Sequence, residues 1–130
     1  MNKSSIRMEK NVASEKVIID GDPDLLYRVL LNIFVNAIQA MPDGGDLMVG
    51  VNVAGKPERL EISVGDTGTG ISPEDISRVF EPFFTTKHKG SGLGLAIVKN
   101  IVEGHGGTIR IENEAGKGAM FIIDLPVRHA

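Results

Sequence analysis

The chain contains no cysteine among its 130 residues, which excludes a disulfide framework and any thiolate metal site. It has no apolar run long enough to cross a bilayer, and no signal-peptide pattern opens it. Neither sign of charge dominates: 14 basic and 17 acidic residues leave a formal net charge of −3. No dense basic run marks a nucleic-acid or membrane surface. There is no internal repeat and no low-complexity tract. What remains is an ordinary balance of 42% apolar and 24% charged residues, at a length that suits one domain with a real core. Glycine is the exception, with 16 residues that fall in clusters.

Residues 1–14 are polar and unpatterned and are expected to form a tail or the end of a linker. The folded domain is expected over residues 15–127, with a short C-terminal tail at 128–130. Lys16-Val17-Ile18-Ile19-Asp20 is a candidate strand. Asp22-Pro23-Asp24 then reads as a helix start: an acceptor at the cap, proline at the first helical position, and an acid facing the helix dipole. The helix predicted from Asp24 to Ala40 carries a broad apolar face of Leu26, Val29, Leu30, Ile33, Phe34, Ala37, Ile38 and Met41. Pro42-Asp43-Gly44-Gly45 ends it. Two alternating runs follow, Leu47/Val49/Val51/Val53 and Leu60/Ile62/Val64, joined by the turn Gly55-Lys56-Pro57-Glu58 as a hairpin. Ser72-Pro73 starts a short helix predicted to reach Val79. A second long helix runs from Leu93 to Val102 and stops at Gly104-His105-Gly106-Gly107. Thr108–Asn113 and Ala119–Leu125 make a second hairpin. Each long helix has one apolar face, so both can cover one side of a mixed, mainly antiparallel sheet. The fold class is an α/β two-layer sandwich. Met48, Asn52, Glu61, Ser63, Arg110 and Glu112 would line its other, solvent-facing side.

Four stretches carry chemistry. Asn32 and Asn36 lie one turn apart beside the apolar stripe of the first helix. They are either edge polar residues or a pair that presents amides to a ligand, and asparagine is a mediocre helix former that must find partners. Gly65-Asp66-Thr67-Gly68-Thr69-Gly70-Ile71 places a carboxylate at a strand end. It is a plain strand exit or an acceptor for a ligand amine. Phe80-Glu81-Pro82-Phe83-Phe84 holds three of the chain's five phenylalanines; it packs locally or opens a mobile lid that runs through Thr85–Lys89. Gly90-Ser91-Gly92-Leu93-Gly94-Leu95 runs into a helix start. It is a plain turn or a phosphate cradle, where glycines admit close approach and unpaired N–H groups face an anion. No Lys-Ser/Thr pair follows, so it is not a Walker loop, and no clear strand precedes it as a Rossmann fingerprint requires.

Taken in order, Asn32-Ile-Phe-Val-Asn36-Ala37, Asp66-Thr-Gly68-Thr-Gly70, Phe80-Glu-Pro-Phe-Phe-Thr-Thr-Lys87 and Gly90-Ser-Gly92-Leu-Gly94-Leu closely resemble the N, G1, F and G2 boxes of two-component sensor histidine kinases. The resemblance covers about residues 16–126. It implies the catalytic and ATP-binding domain, of the Bergerat fold shared by the GHKL superfamily, with ATP and Mg²⁺ as its ligands. It implies that Asn36 holds Mg²⁺ against the triphosphate, with Asn32 near the phosphates or metal. It gives Asp66 the reading of adenine and places Gly68, Gly70 and Ile71 in the turn beneath the base. Gly90, Ser91, Gly92, Leu93, Gly94 and Leu95 take the phosphate side, and Lys87 meets the outer phosphates from the lid. Asn32, Asn36 and Lys87 are then the catalytic set.

The sequence departs from the family pattern at two places. Many members carry lysine three residues after the metal asparagine and an aromatic residue next to it; here stand Gln39 and Ala40. Gln39 can still donate to a phosphate as a neutral group. In the gyrase-like ATPases the position of Asn32 holds a water-activating glutamate. An amide cannot act as that base, which argues for transfer to an acceptor over hydrolysis. None of His88, His105 and His129 sits in the family's phosphoacceptor motif, so the acceptor histidine is expected on a separate dimerisation domain, with a response regulator downstream. The isolated domain is expected to be a cytoplasmic monomer without direct membrane contact, its parent chain open to membrane anchoring. Two rivals share the fold: a stand-alone serine kinase of the anti-sigma type, and a non-catalytic ATP-binding regulatory module.

Overall fold

The computed structural model describes residues 6–12, 19–55, 58–71, 73–76, 78–81, 94–114 and 117–127. The element order is β1 (Ile6–Val12), α1 (Pro23–Gln39), β2 (Gly45–Ala54), β3 (Arg59–Asp66), α2 (Pro73–Ile76), α3 (Gly94–Gly104), β4 (Thr108–Glu114) and β5 (Gly118–Pro126). The five strands form one sheet in the order β1-β2-β3-β5-β4. Only the β1–β2 pair is parallel; β2–β3, β3–β5 and β4–β5 are antiparallel.

α1 begins as its sequence dictates. The Asp22 carboxylate accepts from the Asp24 and Leu25 amides at 2.9 and 3.3 Å, and Pro23 takes the first helical position, where a missing N–H costs nothing. Val29, Ile33 and Ala37 of α1, with Met41 just beyond it, pack on Val98 and Val102 of α3 and on Leu47, Val64, Phe121, Ile123 and Leu125 of the sheet. Both long helices therefore cover the same face of the sheet, as the single apolar stripe on each requires. The stripe on α1 is narrower than its sequence suggests: Ile38 is 45% exposed, and Tyr27, Leu31 and Val35 also lie at the surface.

His105 joins the two helices. Its Nδ1 faces the Ile101 carbonyl at 2.8 Å, and its Nε2 accepts the Asp22 amide at 3.0 Å. Nδ1 therefore carries the proton, and the imidazole ties the end of α3 to the cap of α1. A histidine so engaged is structural, as its place in the helix-ending His-Gly-Gly suggests.

Three expectations change. The segment read as an unpatterned tail contains β1, which adds to the sheet edge by pairing Ile6 with Gly45 through to Val12 with Val51. Lys10 interrupts its alternation of Ile6, Met8 and Val12, and an edge strand buries little: Met8 is 55% exposed. Weak patterning is the expected signature of such a strand. Of the strand proposed at 16–20, residues 16–18 lie outside the described residues, and Ile19 and Asp20 are irregular. α2 ends at Ile76 rather than Val79, and the chain continues through turns closed by Arg78 N–H to Asp75 O and Glu81 N–H to Arg78 O.

The uncovered face of the sheet is polar at its margins, where Asn52, Arg110 and Glu112 are exposed. Its centre is not: Ile122, between Ser63 and Arg110 in register, is 4% exposed. At one end of this face Arg59 Nε donates to Asp124 at 2.7 Å, Thr108 Oγ1 donates to the same carboxylate at 2.6 Å, and Arg59 Nη2 donates to the Gly106 carbonyl at 3.1 Å. Burial pushes the Asp124 carboxyl up, but the Thr108 and Arg59 hydrogen bonds and the charges of Arg59 and Arg110 outweigh it and hold it below the ordinary aspartate value.

A lowered native pKa means that the unfolded chain binds the proton more tightly. The stabilisation is complete above the unfolded value and is lost as pH falls through the folded one. Asp124→Asn is expected to cost about 1–3 kcal/mol at neutral pH, read by urea denaturation, with the gap to wild type closing as pH falls below the ordinary aspartate value. A gap that stays constant with pH would remove the charge as its source.

Candidate functional site

α1 delivers the two asparagines. Asn32 and Asn36 are half-buried on a flank of the helix, off the Val29–Ile33–Ala37 ridge that enters the core. Gln39, the last helical residue, is exposed, and Ala40 caps the helix with its N–H turned back to the Asn36 and Ala37 carbonyls.

β3 delivers the carboxylate. Asp66 closes that strand and is 4% exposed, the one buried charged side chain among the described residues. Its Oδ1 accepts the Gly68 amide at 2.9 Å, which folds the chain back over its own side chain as aspartate does in turns. Gly68 has a steric reason to be glycine: a Cβ there would lie 2.1 Å from the Ala40 carbonyl oxygen. The loop after β3 is thus pressed against the C-terminal cap of α1. That contact brings the asparagine-bearing helix and the aspartate-bearing loop to a common border.

Two further ties hold this loop. Thr67 Oγ1 accepts the Asp46 amide at 3.0 Å and lies 3.7 Å from the Met41 sulfur, linking the loop to the start of β2 and the tail of α1. Gly70 has a left-handed φ of 74°, and the next residue, Ile71, exchanges two 2.6 Å hydrogen bonds with the side chain of Asn113 on β4. From below, Gly118 at the start of β5 comes so close that a Cβ would sit 2.0 Å from the Asp66 carbonyl oxygen. Thr67, Asn113 and Gly118 were not singled out by the sequence. Thr67 sits inside a recognised motif, but nothing in the pattern around Asn113 or Gly118 points 42 or more residues back to this loop.

α3 begins at Gly94, which is exposed, and among the described residues a Cβ there would meet no atom outside the adjoining chain within 4 Å. Packing against the described residues does not demand glycine at this position. Leu95 instead turns toward the core. The sequence-proposed Lys87, Gly90, Ser91, Gly92 and Leu93 lie outside the described residues, as do Phe83, Phe84, His88 and His129. Phe80, the first aromatic of the Phe-rich stretch, packs against the core, and the Lys99 ammonium stands 5.6 Å from its ring centre, a cation–π distance. This joins the exit from α2 to the body of α3.

Among the described residues no group of three or more His, Cys, Asp or Glu side chains could hold a metal ion. A cation beside Asn36 would take one amide oxygen from the protein and the rest of its shell from other oxygens. Magnesium accepts such a shell, since it keeps several waters and binds readily through phosphate oxygens. The donor set fits that ion.

Comparison with known proteins agrees with this fold. The family model described as "Histidine kinase-, DNA gyrase B-, and HSP90-like ATPase" matches residues 21–129. Sensor histidine kinase ZraS of Salmonella typhimurium is 49% identical over 109 residues, which is 84% of this chain and 23% of that protein. Sporulation kinase E of Bacillus subtilis is 41% identical over 127 residues, 98% of this chain and 17% of that one. The chain therefore spans about a quarter or less of the length of these relatives. Among solved structures, the mycobacterial sensor histidine kinase MprB superposes with a TM-score of 0.85 at 35% identity, over 96% of this chain and 86% of that one. Full-length ShkA in complex with AMPPNP superposes with a TM-score of 0.84 at 34% identity, over 96% and 26%. The matched model, these relatives and the shared fold lead to one conclusion: the chain belongs to the histidine kinase-, DNA gyrase B- and HSP90-like ATPase family, and its relatives there include sensor histidine kinases.

Proposed function

We propose that this domain binds Mg·ATP and donates the γ-phosphoryl group to a histidine on a separate dimerisation domain, within a two-component signalling kinase. The observation that carries the reading is the Asp66 carboxylate, buried at the end of β3 in a loop fixed from several sides. A buried carboxylate accepts hydrogen bonds and donates none, which suits the exocyclic amine of adenine. The AMPPNP complex of the related ShkA supports an adenine nucleotide as the ligand.

In this reading Gly68, Gly70 and Ile71 form the surface beneath the base. Ala40 leaves that surface without a stacked ring, so the adenine is held mainly by Asp66. Gln39 lies at the rim as a neutral donor. The phosphates run toward the N-terminus of α3, where Gly94 and Leu95 offer backbone N–H groups and the positive end of the helix dipole; the family resemblance assigns Gly90, Ser91, Gly92 and Leu93 to the same phosphates. Among the described residues no side chain crowds Gly94, which suits that approach. Asn36 would hold Mg²⁺ through its amide oxygen, and the ion would neutralise charge between the phosphates. The resemblance assigns Lys87 to the outer phosphates.

Phosphoryl transfer demands positioning and charge stabilisation more than covalent chemistry from the protein. An unprotonated imidazole nitrogen of the acceptor bonds to the γ-phosphorus. The bond from phosphorus to the bridging oxygen breaks, ADP leaves with that electron pair, and the imidazolium formed loses its proton to solvent. Asn32 orients groups by hydrogen bonding and cannot deprotonate water, which disfavours hydrolysis. The partners follow: ATP, the histidine-bearing domain and a response regulator beyond it. Use of ATP places the domain in the cytoplasm. No described helix is long and apolar enough to cross a membrane.

Asn36→Ala is expected to abolish the magnesium-dependent part of ATP binding in calorimetry, a loss of about tenfold or more; unchanged Mg·ATP affinity would remove Asn36 from the metal. Asp66→Asn is expected to weaken ATP and ADP alike by about tenfold, with a smaller change in the melting temperature of the unliganded domain. A drop in melting temperature with full nucleotide affinity would make Asp66 structural. Incubation with γ-labelled ATP, Mg²⁺ and a histidine-bearing dimerisation domain is expected to put acid-labile label on the added domain alone. Acid-stable label on a protein substrate would indicate a serine kinase, and rapid phosphate release without acceptor an ATPase.

A further inference from the structure

The loop Asp66–Ile71 has two ends, and they are held by different means. At Asp66 the hold is the β3 ladder. At Ile71 it is partial burial of the isoleucine against the core and the paired hydrogen bonds of one side chain, 42 residues away in sequence. The Ile71 amide donates to Asn113 Oδ1 at 2.6 Å, and Asn113 Nδ2 donates to the Ile71 carbonyl at 2.6 Å. In an antiparallel ladder two residues facing each other exchange both of these bonds. Here a single carboxamide replaces the second strand. It carries a donor and an acceptor side by side, which serine, aspartate and alanine do not. The Asn113 backbone meanwhile pairs with Ala119 of β5, so the side chain extends the sheet by one rung onto a segment that is not a strand.

We propose that Asn113 is a positioning residue for the nucleotide: it sets the distance of the loop from the sheet and so presents Asp66 and the Gly68–Gly70 turn to the base in a binding-ready form. The proposal rests on the reading of Asp66 as the adenine acceptor. With Asn113 intact, both ends of the loop are fixed before the ligand arrives. Without it, the Ile71 end keeps only its apolar contact with the core, the loop leaves its place more often, and only the fraction of molecules with the loop in place is competent to bind. Affinity then falls by that fraction, and it falls equally for ATP and ADP, because the loss lies at the base and not at the phosphates.

The test compares nucleotide affinity and unliganded melting temperature in Asn113→Ala, Asn113→Asp, Asp66→Asn and Thr108→Val. Thr108 sits on the same strand but serves the Asp124 cluster, so its variant reports destabilisation of β4 alone. Asn113→Ala is expected to lose about tenfold in affinity for both ATP and ADP, the scale of one to two hydrogen bonds. Thr108→Val is expected to lower the melting temperature and leave affinity unchanged. Asn113→Asp keeps the acceptor for the Ile71 amide but sets a second carboxylate oxygen against the Ile71 carbonyl; it should lose at least as much affinity for both nucleotides as alanine does, and it serves as the test if the alanine variant does not fold. Asn113 variants that lose no more affinity than Thr108→Val, while Asp66→Asn loses it, would overturn the positioning role alone. Full affinity in Asp66→Asn would overturn the adenine reading and this proposal with it.

Discussion

The approach of Gly68 to the carbonyl oxygen of Ala40, too close for any Cβ, is the constraint on which the site depends. It fixes the loop after β3 against the end of the helix that bears Asn32 and Asn36. The loop is then closed from the sheet side by Gly118, equally tight against the Asp66 carbonyl, and at its far end by the Asn113 carboxamide. A loop held in this way resembles a continuation of the scaffold more than a flexible connection. That is the condition for a polar site to act: its groups must already be placed when the ligand arrives, because ordering them at binding would consume the affinity they supply.

The two-layer plan explains why the site falls where it does. α1 and α3 lie on one face of the sheet, and each has only one apolar ridge to bury there. The flank of α1 that carries Asn32 and Asn36 is left half-buried, in reach of ligand and of protein. The opposite ends of the helices are tied elsewhere, by the His105 imidazole to the cap of α1. The Arg59–Asp124–Thr108 cluster similarly secures β3, β4 and β5 at the end of the sheet away from Asp66. Stability and binding therefore draw largely on different residues, which lets each be altered without the other.

Much of this was legible in the sequence because it is written in local pattern. The cap Asp22-Pro23, the apolar ridge of α1, the two hairpins and the glycine stop after α3 are all periodic or turn signals that act over a few residues. The four motifs are equally local, and their order carried the family. β1 was missed because an edge strand exposed to solvent needs little alternation, and Lys10 breaks what there is. The exposure of Ile38 was missed because a helix wheel gives the direction of a side chain and not the width of the layer that covers it. Asn113 and Gly118 were missed for a different reason: their roles are contacts with a loop far away in the chain, and a lone asparagine or glycine beside a turn has many ordinary uses.

The central claim is that the buried Asp66 carboxylate and the Asn36 amide are the two protein ends of one bound Mg·ATP. A crystal structure of this domain with Mg²⁺ and a non-hydrolysable ATP analogue tests it most directly. The expected result is the adenine amine within hydrogen-bond distance of the Asp66 carboxylate, the base over the Gly68–Gly70 turn, the metal on Asn36 Oδ1, and the Asn113–Ile71 pair unchanged. A nucleotide bound away from the loop after β3, or a base whose amine meets some other acceptor while Asp66 stays engaged within the protein, would contradict it.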